Sequence, residues 1–104
     1  MKVVLCNCPP ESSTRIAEAL VESGAAACVN VIASVMSVYR WEGATVKESE
    51  DTLVIKAPVK HLAIVRAEIH ALHPHSVPEI VVLDVDVEAS ASAYVDWVRA
   101  TPLA

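Results

Sequence analysis

The feature that most constrains the fold is a run of β-forming residues over 25–42, AAACVNVIASVMSVYRWE. Its apolar residues lie on both sides of the chain, which differs from the single apolar stripe of a surface helix. The run is near twice the usual strand length of roughly five or six residues. We therefore predict one long strand, interrupted around Ala33-Ser34 by a bulge that re-aims its second half.

The residues that follow this strand predict an antiparallel partner. The segment EGATVKESED over 42–51 predicts the turn, because Gly43 takes positive φ freely. TLVIK over 52–56 predicts the returning strand. A two-stranded arm is only marginally stable alone, so we expect a neighbouring subunit to cover its edges.

The other apolar runs predict two more strands and three helices. KVVLCNC over 2–8 is a short apolar strand that stops at Pro9-Pro10, and EIVVLDVDV over 79–87 is a near-continuous apolar run. Apolar residues at helical spacing predict helices over 11–24, 59–73 and 90–100.

The ends and buried faces of these helices are predicted as well. Ser12 or Ser13 caps the first helix and Gly24 stops it. Pro74 ends the second helix, because proline disfavours helical backbone at the preceding residue. The third helix has Ser90 or Ser92 as its predicted cap. The side chains expected to face the core are Ile16, Ala19 and Leu20 in the first helix, Leu62, Val65, Ile69 and Leu72 in the second, and Tyr94, Trp97 and Val98 in the third.

The order of the elements is βαββαβ with a terminal helix, the split βαβ pattern of an α+β fold. Two helices cover one face of a four-stranded antiparallel sheet and leave the other face open. We expect the open apolar face to be an association surface. A chain of 104 residues is one domain's worth, so we expect a single domain over 1–104.

Composition argues against several classes of partner. The formal net charge is −5, and there is no run of Lys or Arg that could track phosphates, so nucleic acid is not an expected partner. The N-terminal MKVVLCNCPP is too short an apolar stretch for a signal sequence or a membrane span, which predicts a cytoplasmic protein with no membrane partner. The three cysteines Cys6, Cys8 and Cys28 cannot all pair and are expected to be reduced thiols.

Six blocks carry a family resemblance, and they follow one another over nearly the whole chain. They are VVLCNCP at 3–9, AACVNVI at 26–32, SVYRWEG at 37–43, LVIKA at 53–57, LHPHSVPEIV at 72–81 and YVDWV at 94–98. Together they resemble the CutA divalent-cation tolerance proteins. The resemblance implies a ferredoxin-like fold, a tight homotrimer similar to PII signalling proteins, and a link to tolerance of copper and other divalent cations. The chain departs from the family pattern at His75-Ser76, where the family usually has Tyr followed by Glu or Gln.

Histidines and cysteines are the candidate metal ligands. His70 and His73 stand at i and i+3 on the last turn of the second helix, and His75 follows the proline, so their imidazoles could bind Zn²⁺ or Cu²⁺. The alternative is that they only cap carbonyls at the negative end of the helix dipole. By the resemblance, Cys6 matches a cysteine associated with copper, and Cys8 adds a second sulfur on the same strand face. The alternative for both thiols is burial as small hydrophobes.

A ligand pocket near the subunit boundary is also implied by the resemblance, and it would hold Cys28, Lys56 and His73. We expect the Glu79 carboxylate near His73, where it would fix the tautomer of the imidazole. Three further residues beside apolar strands are candidates for this pocket, although trimer packing explains the two aromatics equally well: Asn30, Tyr39 and Trp41.

Catalytic motifs are missing from the sequence: it has no Gly-rich phosphate loop, nucleophile elbow or H-E-x-x-H helix. Cys28, His73 and Glu79 as nucleophile, base and orienting group are kept only as a minor hypothesis. We therefore expect no enzyme activity.

The expected function is that of a cytoplasmic, homotrimeric divalent-cation (copper) tolerance protein that binds metal ions weakly and turns over no substrate. Its ligands are expected among Cys6, Cys8, Cys28 and His73, with copper or another divalent cation as the only cofactor and no organic cofactor. Two alternatives stay open. One is a PII-like signalling trimer that binds a small anion or metabolite through Lys56, and the other is a rigid scaffold for partner proteins.

Overall fold

The computed structural model describes all 104 residues of the chain. Its elements are β1 (Lys2–Cys8), α1 (Pro10–Glu22), β2 (Cys28–Trp41), β3 (Ala44–Ala57), α2 (Leu62–Leu72), β4 (Val81–Asp84) and α3 (Ser92–Arg99), with a 3₁₀ turn at Val59–His61 before α2. This order confirms the predicted α+β fold, βαββαβ with a C-terminal helix.

The four strands form one antiparallel sheet in the order β2-β3-β1-β4. The register of β1 with β3 runs from Lys2 opposite Ala57 to Cys8 opposite Asp51. Because β2 and β4 are the outer strands, each has one edge whose backbone groups have no partner strand in the chain.

The core lies between the sheet and the first two helices. Side chains alternate across a strand, so Cys6 of β1 and Ile55 of β3 point towards α1 and α2 and pack with residues such as Leu20 and Ile69. Burial of each such aliphatic side chain is worth about 1.5–3 kcal/mol. The intervening residues of the strands point to the other face, which neither of these helices covers. Ile32, Val81 and Leu83 are 42–50% exposed on this open face.

The predicted bulge in β2 is confirmed and changes which side chains reach the open face. The register with β3 shifts between Ile32 and Val35, and Ser34 has a φ of 60°. Ile32 pairs with Thr52 and Val35 with Glu50, so two residues of β2 stand opposite Asp51 alone. As a result, even-numbered residues of β2 face the open side before the bulge and odd-numbered residues face it afterwards.

The hairpin turn is shorter than predicted. Glu42 and Gly43 have φ values of 49° and 81°, as in a two-residue type I′ turn, whose twist matches that of the flanking strands. β3 starts directly afterwards at Ala44, so the prediction that 44–51 belongs to the turn was wrong. These residues form a strand because β2 supplies their backbone hydrogen bonds, although most of their side chains are exposed.

The helix ends differ from the predicted caps. Pro9 is the N-cap of α1 and Pro10 its first residue, because proline has the φ of a helix and lacks a donor that would go unpaired. Ser13 therefore does not cap the helix, and its hydroxyl donates to Asp51 over 2.6 Å instead. Gly24 has the predicted left-handed conformation after the helix, with a φ of 78°.

The buried faces of α1 and α3 also differ in part from the prediction. In α1, Ala17 rather than Ala19 joins Ile16 and Leu20 in the core. In α3, Val95 and Val98 are buried with Met1 in a small second cluster. Tyr94 and Trp97 are 42% and 55% exposed, so their predicted inward orientation was wrong. The reason is that α3 packs through a narrow i, i+3 stripe of small side chains.

Candidate functional site: an acidic cleft at the hairpin

A cleft with a volume of about 700 Å³ lies between the β2–β3 hairpin and the loop over 75–79. Four stretches of chain line it. They supply Asn7 from β1; Val35, Met36, Ser37, Val38, Tyr39 and Trp41 from β2; Glu48, Glu50 and Thr52 from β3; and His75, Ser76, Val77 and Glu79 from the loop. We call this site the hairpin cleft.

The bulge in β2 determines which aromatic rings reach the hairpin cleft. After the bulge, Ser37 pairs with Glu48 and Tyr39 with Val46, so the odd residues of β2 share a face with the even residues of β3. Tyr39 and Trp41 thereby lie on the same face as Glu48. Without the bulge, the even residues of β2, among them Arg40, would point there instead.

The floor of the cleft is polar and hydrogen-bonded. Thr52 stands next to Asn7 in the register of β1 with β3, and its hydroxyl donates to the Asn7 side-chain oxygen over 2.7 Å. The Asn7 carbonyl also accepts a hydrogen bond from the side chain of His73, at 2.8 Å. The end of β1 therefore ties the floor of the cleft to the segment that follows α2.

The electrostatics of the cleft are negative. Its lining contains the carboxylates of Glu48, Glu50 and Glu79 and no Lys or Arg. The neighbouring Glu48 carboxylate is the largest cause that raises the pKa of the Tyr39 hydroxyl above its ordinary value. Glu50 also belongs to the lining, and the residue is 7% exposed.

His73 is at the edge of this site, but both of its ring nitrogens already have backbone partners. Nδ1 accepts from the His75 N–H at 3.1 Å, so Nε2 carries the proton that is donated to Asn7. The backbone, rather than the predicted Glu79 carboxylate, thus fixes its tautomer. His73 has also left the helix, with a ψ of 132°, and is buried while His70 is exposed. The i, i+3 histidine pair does not form.

Cys6 and Cys8 lie in the core with 0% exposure. Burial raises the pKa of the Cys6 thiol to about 12 and that of Cys8 to about 11. A thiolate is the form that binds metal, so these two neutral thiols are poor ligands at neutral pH. The chain has no group of three or more His, Cys, Asp or Glu side chains arranged to hold a metal ion.

Cys28 and Lys56 are cross-strand partners at the other end of the sheet. The Lys56 ammonium donates to the side-chain oxygen of Asn30. Burial, followed by the neighbouring Cys28, raises the pKa of the Tyr94 hydroxyl. Lys56 is four residues along β3 from Thr52, which corresponds to about 13 Å. One chain therefore does not bring Cys28 and Lys56 together with His73, and a Cys28–His73–Glu79 catalytic arrangement does not form within it.

Residue patterns alone indicated only part of the hairpin cleft. Tyr39, Trp41 and Glu79 were candidates for a pocket and do line one. Glu48 and Glu50 were missed because their segment was read as a turn. Their spacing of two residues, with Thr52 two further on, is the strand-like signal that could have revealed them.

The fold and the cleft define a small α+β protein of the PII-like class, with an acidic cleft on a sheet face that the helices leave open. The CutA1 divalent ion tolerance protein family matches residues 2–101. The chain belongs to this family.

Two comparisons are especially close. The divalent-cation tolerance protein CutA of Thermus thermophilus is 41% identical over 99 residues, which cover 94% of each chain. The solved structure described as PII-like protein CutA from Nostoc sp. PCC 7120 in apo form has a TM-score of 0.94 and 42% identity, and the match covers 100% of both chains.

A third comparison is with an archaeal structure from Archaeoglobus fulgidus, described as a periplasmic divalent cation tolerance protein CutA. It has a TM-score of 0.89 and 29% identity, and the match covers 97% of this chain and 98% of the other. In the present structure, none of the helices is both long and apolar enough to cross a membrane.

Proposed function

We propose that this protein is a homotrimeric, non-catalytic divalent-cation tolerance protein that binds cations in the hairpin cleft. The observation that carries the proposal is the lining of the cleft, which has three carboxylates and no basic side chain other than a histidine. A concave wall of one charge sign focuses the potential and raises the local concentration of the opposite charge. Such a cleft attracts cations and repels anions.

The ligand chemistry of the cleft favours Cu²⁺, Zn²⁺ or harder divalent ions over Cu⁺. Glu79 and His75 are exposed on the same loop, and carboxylate and imidazole suit these ions, whereas Cu⁺ prefers sulfur. One chain supplies too few converging ligands for a closed site. Water or a neighbouring subunit would complete the coordination, and binding would be weak.

The trimer is supported by the sheet itself. The open face exposes apolar side chains, and the two outer strands β2 and β4 each leave one edge unpaired. A ring in which β2 of one subunit pairs with β4 of the next would cover both edges. Heterologous contacts that close into a ring leave no strand edge free. In such a ring each hairpin cleft lies at a boundary between subunits.

The PII-like alternative, a trimer that binds a small molecule, is favoured by the volume of the cleft, which is within the range of roughly 300–1,000 Å³ of small-ligand sites. An anionic ligand is not favoured. Lys56, its expected contact, does not line the cleft and is bound to Asn30.

We also propose a cytoplasmic location, which three free cysteines support, since thiols persist under reducing conditions.

The test is calorimetric titration with Cu²⁺ and Zn²⁺. The substitution Glu79→Gln should weaken binding by about threefold or more, because it removes one of three charges from a focused field. Glu88→Gln, an exposed carboxylate outside the cleft, is the matched control and should bind as wild type does. Equal affinity in both variants would contradict the proposal, and a loss on Cys28→Ser instead would move the site to the Cys28–Lys56 end of the sheet.

A further inference from the structure

We draw no further inference here: the strongest candidate, the cluster of Cys28, Lys56 and Tyr94 at the end of the sheet away from the hairpin cleft, rests on a lone thiol, and nothing else in the structure points to a ligand there.

Discussion

Gly24 shows how one residue type is required by a distant part of the chain. A Cβ at this position would lie 2.1 Å from the Pro102 carbonyl oxygen and 2.9 Å from the Leu103 Cα, which is too close for any contact. The C-terminal segment is held there by the Ala104 N–H, which donates to the Ser23 carbonyl at 2.8 Å. The positive φ of Gly24 was predictable as a helix stop, whereas the approach of residues 102–104 was not.

Gly24→Ala is expected to destabilise the protein by about 2–4 kcal/mol, because it combines a left-handed backbone with a clash against backbone atoms. Gly43→Ala is the matched control. Gly43 has a similar φ of 81°, but a Cβ there would meet nothing within 4 Å, so only the backbone strain of about 1 kcal/mol remains. Chemical denaturation at equal protein concentration measures both, and equal losses would contradict the role of the C-terminal contact.

The buried thiols make the free energy of unfolding depend on pH in the alkaline range. Cys6 and Cys8 ionise near pH 9.0 when exposed, and in the folded chain burial raises the pKa values to about 12 and about 11. Above pH 9, the folded state therefore holds protons that the unfolded state has lost. The contribution of the two thiols to the free energy of unfolding is fully present below pH 9 and is lost as pH rises from there towards 12.

We expect the melting temperature to fall by at least about 3 °C between pH 8 and pH 10 from this cause. Cys8→Ala leaves one buried thiol and should lose less stability over the same interval, although it is less stable throughout. Thermal melts of both proteins at matched ionic strength check this. A decline as steep in Cys8→Ala as in wild type would show that the Cys8 thiol does not contribute.

The β2–β3 hairpin is the element that carries most of the candidate site, and its course depends on one buried carboxylate. Asp51 is 6% exposed. It accepts hydrogen bonds from the Ser13 hydroxyl at 2.6 Å and from the Ser34 N–H at 3.1 Å. Asp51 thus joins α1 to the bulge, and the bulge turns Tyr39 and Trp41 towards the cleft.

Asp51→Ala should cost about 1–3 kcal/mol, because it leaves the Ser34 N–H of the bulge without its partner and the Ser13 hydroxyl with only the Pro10 carbonyl as an acceptor. Asp51→Asn should cost less, since an amide oxygen can still accept from Ser34. Hydrogen exchange of the Ser34 amide, measured by NMR, should accelerate in Asp51→Ala and stay slower in Asp51→Asn. Unchanged exchange in both would mean that Asp51 does not hold the bulge.

Pattern alone located the bulge and missed the turn, for a physical reason. A strand of roughly twice the usual length must bend or be interrupted, and Ala33-Ser34 breaks its run of apolar β-forming residues near the middle. The charges at Glu48 and Glu50 resemble a turn in composition. They are in a strand because the backbone hydrogen bonds to β2 form irrespective of the side chains. The side chains of Glu48 and Glu50 then line the cleft.

Exposed surface on the whole molecule suits the proposed trimer. The open face exposes apolar side chains such as Ile32, Val81 and Leu83, the outer strands β2 and β4 each leave one edge unpaired, and the longest dimension of the chain is 44 Å. A single chain of 11.1 kDa leaves these surfaces in water.

Sedimentation velocity should show a species of three times the chain mass, and Leu83→Lys on the open face of β4 should shift it towards single chains, because a charge would be buried at the contact. Ala71→Lys, exposed on α2 on the helical face, is the control and should sediment as wild type does. A wild-type protein that sediments as a folded single chain would contradict the proposed trimer.

The amino-acid sequence by itself determined the class of fold and most of its elements, because apolar periodicity, proline and glycine act through local backbone geometry and burial. It also pointed to the family, through motifs spread along the chain. Tertiary structure alone decided which titratable groups meet. It put Cys6 and Cys8 in the core, gave both nitrogens of His73 to the backbone, separated Lys56 from the cleft and placed Glu48 and Glu50 on the face of the sheet that lines the cleft. Such meetings depend on strand register and on a one-residue bulge, and a shift of one residue reverses the face to which every later side chain of a strand points.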